Sequence, residues 1–372
     1  MTESWQSIMN ELTLKPAVEF EHIGTKYCFN VIDSLYIQAI PFEKFEKGYA
    51  WFSCPCFCYA SIVKKIHDQY NDVCNFPLEI LNSEKRIEFL KRIIERKDYK
   101  DCWGCPKLEM APTTGFWNRD DFEYAWGETG IDIWRQYSKK KLTNPLPYTI
   151  VFNLDSSCNL KCKTCRPDYI RHTYDITEED SKQLIEMAKM VPHISIGGDG
   201  EFFASHNYDA LLAADLTENS KLRYITLYTN GTLMNETNWN KINLATRQKL
   251  IKEIKVSMDA ACEETYLKVR GPWWNQLMKN LDFIRPIAKT YGIEMFTTFT
   301  ISKYNVQDVS KFHDFAKSLG FDRVMFQFAR EIFHPELGEG EDFIVPPDQR
   351  KDIMDYLLEL QRQEGPTKVI IE

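Results

Sequence analysis

From Pro147 onward, strand-like runs alternate with helix-like runs, and this limits the fold more than any other feature of the chain. Tyr148–Leu154 is rich in β-branched and aromatic residues and reads as a strand. Glu178–Met190 then repeats apolar residues at helical spacing, with Thr177 placed to cap it. Further strands are expected at His193–Ile196, Arg223–Tyr228, Ile254–Met258, Met295–Ile301 and Arg323–Phe328. Between them, Tyr208–Leu216, Trp239–Ile251, Glu263–Ala288 and Val306–Ser318 read as helices. Strands separated by helical crossovers imply a parallel sheet, giving an α/β fold. The repeat runs out near residue 330, so a partial (β/α)6 barrel of the TIM type fits better than a closed eightfold one. In such sheets ligands gather at the carboxyl ends of the strands.

The rest of the 372 residues divides around this block. Residues 1–110 form a cysteine-rich domain with one clear helix near Glu84–Arg96. Residues 111–146 form a connecting segment, and 147–330 form the barrel. Residues 331–372 are an extension with a helix at Pro347–Gln363. The formal net charge is −8 and the basic residues are scattered, which disfavours a nucleic-acid partner. No run approaches the roughly 20 apolar residues of a membrane span, and the first residues lack the pattern of a signal peptide. A cytoplasmic protein without a membrane partner is expected.

In such a compartment disulfides are a poor use for eleven cysteines, and clustered cysteines more often bind metal. Just after the first strand of the block lie Cys158, Cys162 and Cys165, in a Cys-x3-Cys-x2-Cys array. Three thiolates on one loop suit three irons of a cubane cluster, leaving the fourth iron open where the usual cubane has a fourth cysteine. Zinc, the competing reading, more often takes four protein ligands.

Four further places follow in order. Gly197-Gly198-Asp199-Gly200-Glu201 ends the second strand, and Thr229-Asn230-Gly231 ends the third. Ser257-Met258-Asp259 lies at the fourth, followed by Tyr266-Leu267-Lys268-Val269-Arg270-Gly271. With these motifs the segment from Pro147 to Arg330 resembles the radical S-adenosylmethionine (SAM) superfamily. The resemblance implies a SAM-binding [4Fe–4S] cluster on Cys158, Cys162 and Cys165. It implies that the turn with Gly198, Gly200 and Glu201 receives the SAM amino group. The sequence departs here from the commoner Gly-Gly-Glu-Pro. Ser257 is implied as a SAM contact, Asp259 as a contact to ribose or substrate, and Arg270 as a clamp on the SAM carboxylate. Asn305 is a weaker candidate near the adenosine.

The N-terminal cysteines resemble the auxiliary-cluster modules of the same superfamily, the SPASM or twitch type. Cys28, Cys54, Cys102 and Cys105 are then the ligands of a second [4Fe–4S] cluster, with Cys56 the next choice; Cys58 and Cys74 stand nearby. Structural zinc is the alternative for this head. In the members that carry the resemblance this module follows the barrel, whereas here it precedes it.

The resemblance implies reductive cleavage of SAM to a 5′-deoxyadenosyl radical, which abstracts hydrogen from a substrate. The electron comes from a donor such as flavodoxin or ferredoxin. Tyr266…Arg270-Gly271 resembles peptide-modifying members and points to a peptide or protein substrate. A sugar or other small molecule, acted on by a dehydrogenase or epimerase, is the alternative. A non-catalytic iron–sulfur or zinc scaffold that binds peptides is a reading of another class. No residue stands out as a catalytic acid or base.

Overall fold

A computed structural model describes residues 18–19, 34–39, 49–52, 79–82, 141–142, 147, 149–165, 169, 175–198, 200–329, 343–363, 365 and 367–371. The chain forms two compact units, one of residues 1–37 and 42–149, the other of residues 38–41 and 150–372. In the first, Val18–Glu19 pairs antiparallel with Lys141–Leu142. A strand at Tyr49–Phe52 and a short helix at Glu79–Asn82 are also described. Cys28, Cys54, Cys56, Cys58, Cys74, Cys102 and Cys105 lie outside the described residues, as does the helix expected near Glu84–Arg96.

The second unit is built on seven strands: β1 (Thr149–Asn153), β2 (His193–Ile196), β3 (Tyr224–Thr229), β4 (Ile251–Ser257), β5 (Glu294–Ile301), β6 (Arg323–Phe328) and β7 (Lys368–Ile371). They lie in the order β7-β6-β5-β4-β3-β2-β1. The pairings β2–β3, β3–β4, β4–β5, β5–β6 and β6–β7 are parallel. β1 and β7 are not neighbours, so the sheet stays open, as a partial barrel requires. The helices are α1 (Glu178–Met190), α2 (Asp209–Ala213), α3 (Glu236–Trp239), α4 (Leu244–Lys249), α5 (Glu263–Val269), α6 (Trp274–Tyr291), α7 (Val309–Ser318) and α8 (Pro347–Arg362). Among the described residues no helix is long and apolar enough to cross a membrane.

Local chemistry accounts for the boundaries. Thr177 accepts from the Asp180 N–H at 3.1 Å while Asp180 accepts from the Thr177 N–H at 3.0 Å, a reciprocal cap that starts α1. Three expectations need correcting. In place of one helix over Glu263–Ala288, two form. Gly271 adopts φ +99° just before Pro272, and that pair ends α5 and lets α6 begin afresh. The helix expected over Trp239–Ile251 is only Leu244–Lys249, because Asn243 caps it and Ile251 already belongs to β4. The tail contributes a strand besides its helix: β7 pairs with β6 over Arg323–Phe326.

The core is aromatic on the α7 side. Phe299, Phe312 and Phe326 are fully buried, with ring centroids 4.6–5.9 Å apart. Tyr266 packs on Trp274 at 5.4 Å, and Trp274 stacks on Phe315 at 5.6 Å, which locks α5 to α6 and α7. Near the amino ends of the strands, Arg323 pairs with both Glu253 and Glu294. The motifs sit at the opposite ends of the strands.

Candidate cluster and cofactor site

The cysteine loop leaves the carboxyl end of β1 and is tied down before it reaches its first cysteine. Leu154 donates its N–H to Tyr208 Oη at 2.8 Å. Buried Asp155 accepts from Ser157 N and Oγ, each at 2.9 Å, and from Ser205 Oγ at 2.6 Å. A short Asx-type turn results, which fixes the loop's departure. Beyond it, Leu160 N–H reaches Cys158 Sγ at 3.4 Å, Cys165 N–H closes a turn on Cys162 O at 3.0 Å, and Lys163 N–H bonds Val269 O at 2.8 Å. The last bond fastens the loop to the end of α5.

Cys162 is buried, Cys158 and Cys165 are half-buried, and none of the three is in a disulfide. Among the described residues no three His, Cys, Asp or Glu side chains converge as a single metal ion requires. Ligands of one zinc lie only about 3.8 Å apart, from Zn–S bonds of about 2.3 Å in a tetrahedron. Three thiolates on one loop, one buried and two half-buried, suit three irons of a cubane cluster by the chemistry of the donor set. Burial pushes the Cys162 thiol up to about 12, against the pull of the Arg270 charge. A bound iron reverses this, because a coordinating thiol is deprotonated outright.

The turn after β2 packs beneath this loop. A Cβ on Gly200 would lie 2.6 Å from both Asp155 O and Ser157 O, so only glycine lets the two backbones approach. Gly198 has φ +140°, and a Cβ there would meet Asn153 Oδ1 at 3.1 Å. That Asn153 oxygen is buried and has no hydrogen-bond partner among the described residues. It is an acceptor at the mouth of the sheet, which suits an ammonium ligand.

Glu201 donates its N–H to Ser157 O at 2.8 Å. Its carboxylate, also buried, accepts from Thr229 Oγ1 at 2.9 Å and from Asn230 N–H at 2.6 Å. Burial raises its pKa to about 7, and these donors pull the other way. Glu201 therefore bolts the β2 turn to the β3 turn. Asn230 extends the link, donating to Asn159 Oδ1 at 2.9 Å and Cys158 Sγ at 3.7 Å and accepting from Thr232. Asn159 donates to Thr232 Oγ1 at 2.8 Å, and Asn280 of α6 donates to Gly231 O and Thr232 O, each at 2.8 Å.

On the other side stand Asp259 and Arg270. Asp259 follows β4 at φ +57°, an uncommon backbone for a residue with a side chain. Asn305 holds it there by donating to Asp259 O at 2.9 Å, and Thr300 N–H bonds Asp259 Oδ1 at 2.6 Å. Asp259 Oδ2 accepts from Arg270 Nε at 2.9 Å and Nη2 at 2.6 Å. The remaining head nitrogen, Nη1, lies 3.7 Å from Cys162 Sγ. Burial works against the Arg270 charge, but the neighbouring Asp259 and Cys162 outweigh it and hold the pKa above the usual guanidinium value. Ser257 is half-buried at the end of β4, in register with Thr298. Cys262 is exposed, with Thr265 and Asp308 near its sulfur.

Gly200, Glu201, Asn230, Val269 and Arg270 thus reach the cysteine loop at the carboxyl ends of the strands, while Asp259 is held against Arg270 and Asn305, and Ser257 lies at the end of β4. Sequence reasoning missed Asn153, Asn159, Thr232 and Asn280; a lone Asn reads only as a turn residue.

Comparison with known proteins bears on this site. Residues 153–316 match the family model of the Radical SAM superfamily. The AdoMet-dependent heme synthase of Methanosarcina barkeri is 27% identical over 222 residues, 58% of this chain and 59% of that protein. Among solved structures, SuiB of Streptococcus suis bound to S-adenosylmethionine is 17% identical, with a TM-score of 0.45 over 78% of this chain and 64% of its own. Native anSMEcpe with bound AdoMet is 20% identical, with a TM-score of 0.43 over 60% of this chain and 63% of its own. The chain thus spans 59–64% of the length of these relatives. Residues 153–316 of this chain are a domain of the radical SAM superfamily, whose cofactors are SAM and a [4Fe–4S] cluster.

Proposed function

We propose that the chain is an enzyme that cleaves SAM reductively on a cluster held by Cys158, Cys162 and Cys165. The observation that carries this is the convergence of the cysteine loop, the Gly198–Glu201 turn, the Thr229–Asn230 turn and the Asp259–Arg270 pair at one end of one sheet. When bound, the cluster and SAM supply one-electron cleavage of the sulfonium C–S bond, giving methionine and a 5′-deoxyadenosyl radical.

The chain's own residues divide the remaining work. The cysteines hold three irons and leave one site for the SAM amino and carboxylate groups. Asn153 Oδ1 and the backbone of Gly198 and Gly200 receive the ammonium. Glu201 keeps that turn against the cysteine loop. Ser257 faces the cofactor beyond it, while Asp259 and Arg270 close the site on the Cys162 side. A flavodoxin or ferredoxin is the proposed donor, and the protein works in the cytoplasm. Cys28, Cys54, Cys102 and Cys105 of domain 1–110 are proposed to hold an auxiliary cluster.

The proposed substrate is a peptide or protein, whose hydrogen the radical abstracts; the Tyr266…Arg270-Gly271 resemblance supports it. A second reading, a small-molecule substrate, is supported by the likeness to a heme synthase.

Electron paramagnetic resonance (EPR) of the reconstituted, dithionite-reduced protein tests the core of the proposal. Adding SAM should shift the g-values, because SAM occupies an open iron. A reduced cluster whose spectrum ignores saturating SAM would contradict it. Iron analysis of the same sample tests the head: about eight irons per chain with an auxiliary cubane, about four with zinc in its place.

A further inference from the structure

α5 presents one face to the cysteine loop. Lys163 N–H bonds Val269 O at 2.8 Å, so the loop is seated on the last turn of this helix. Arg270 follows directly, and Asp259 Oδ2 accepts from both its Nε and its Nη2. A guanidinium gripped this way is planar and fixed. Its remaining edge directs Nη1 at Cys162 Sγ, 3.7 Å away, a contact within reach of an N–H···S bond. The Arg270 side chain is 10% exposed and that of Asp259 2%, so water scarcely competes.

Tyr266 lies one turn earlier on the same helix face, and its carbonyl accepts the Arg270 N–H at 2.7 Å. Tyr266 is fully buried, yet its hydroxyl has no hydrogen-bond partner among the described residues. A buried hydroxyl left unsatisfied destabilises the fold. Native structures rarely tolerate one unless another group completes it. Burial is the strongest influence on this hydroxyl, and the charged groups it senses after that are Arg270, Cys162, Asp259 and Cys158.

We infer that Arg270, oriented by Asp259, together with Tyr266, forms a donor clasp on the Cys162 side of the cluster and raises its reduction potential. Hydrogen bonds to cluster and ligand sulfurs stabilise the more negative, reduced state, and they are among the terms that set such potentials. The step is the one-electron reduction of [4Fe–4S]2+ to [4Fe–4S]1+ by an external reductant. No bond breaks, and the added negative charge is met by the Arg270 N–H and the Tyr266 O–H. Arg270 and Tyr266 are thus positioning residues, and the inference rests on the cluster assignment above.

The test is a potentiometric titration of the reconstituted full-length protein without SAM, followed by EPR, for wild type, Tyr266→Phe, Arg270→Lys and the exposed control Leu267→Ala. Leaving SAM out separates this role from a clamp on its carboxylate. At a fixed ambient potential near the wild-type midpoint, Tyr266→Phe and Arg270→Lys should each lower the reduced-to-oxidised ratio about tenfold, a 59 mV shift for one electron. Leu267→Ala should not move it. Unchanged potentials in both variants at wild-type iron content would overturn the inference, and Arg270→Lys would then be read through its SAM affinity alone.

Two further measurements hold if Arg270→Lys fails to keep its cluster. Wild type labelled with guanidino-15N arginine should show a 15N coupling to the reduced cluster in pulsed EPR, and its absence would overturn the Arg270 contact. Cluster-free Tyr266→Phe should melt no lower than wild type, and a clear loss of stability would mean the hydroxyl already has a protein partner. Wild type that binds no cluster at all would instead refute the proposed function, so the two failures are distinguishable.

Discussion

Gly200→Ala tests whether the β2 turn is wedged against the cysteine loop. The new methyl would sit 2.6 Å from Asp155 O, 2.6 Å from Ser157 O and 2.9 Å from the Ser156 carbonyl carbon. All three are backbone atoms and cannot rotate aside. Carbon and oxygen rarely approach closer than about 3.3 Å, so the two segments must part by about 0.7 Å. Overpacking typically costs about 1–3 kcal/mol, and a clash with backbone on two sides belongs at the upper end. The same movement stretches the 2.8 Å bond from Glu201 N–H to Ser157 O. A loss of about 3 kcal/mol lowers Tm by about 6–12 °C in a unit of this size. Thermal unfolding of the cluster-free protein by circular dichroism measures this, and iron per chain after reconstitution should fall in parallel. Gly365→Ala is the control, since nothing lies within 4 Å of a Cβ there. A Gly200→Ala protein within about 0.5 kcal/mol of wild type, with full iron loading, would refute the wedge.

Two more outcomes follow from the same geometry. Burial raises the Glu201 pKa from 4.5 to about 7, so between those values the unfolded chain loses its proton first. Wild-type stability relative to Glu201→Gln should therefore fall by about 3 kcal/mol as pH rises from 4.5 to 7 and stay level above; parallel curves would show that the carboxyl is not perturbed. For the buried Asp259–Arg270 pair, each single Ala variant should lose about 3–5 kcal/mol, because each leaves an uncompensated charge. The double variant should lose much less than the sum, and additive losses by denaturation would mean the pair is not coupled.

The parts of this molecule legible from its sequence are those written as period or spacing. Strands β2 and β6 coincide with their expected places, since short apolar runs between helical repeats leave little freedom. The Cys158–Cys165 array is visible because its ligands share one loop. The break at Gly271-Pro272 is in principle legible, because that dipeptide punctuates chains, but the apolar rhythm on both sides masks it. β7 is not, because Lys368–Ile371 is too short to show alternation and gains its meaning only beside β6. Least legible is the frame around the cysteines. Asn230 to Asn159 spans 71 residues, Asn280 to Gly231 spans 49, and Arg270 to Cys162 spans 108. Sequence reasoning assigns Asp259 and Arg270 separate ligands, and only the fold reveals that each is the other's partner.

The central claim is that Cys158, Cys162 and Cys165 support reductive cleavage of SAM. The most direct measurement is 5′-deoxyadenosine by mass spectrometry after anaerobic incubation of the reconstituted protein with SAM and dithionite. The triple variant Cys158→Ala, Cys162→Ala, Cys165→Ala runs beside it. Wild type should release 5′-deoxyadenosine and methionine in equal amounts, and the variant none. Equal product from both, or none from a wild type shown by EPR to hold a reduced, SAM-responsive cluster, would contradict the claim.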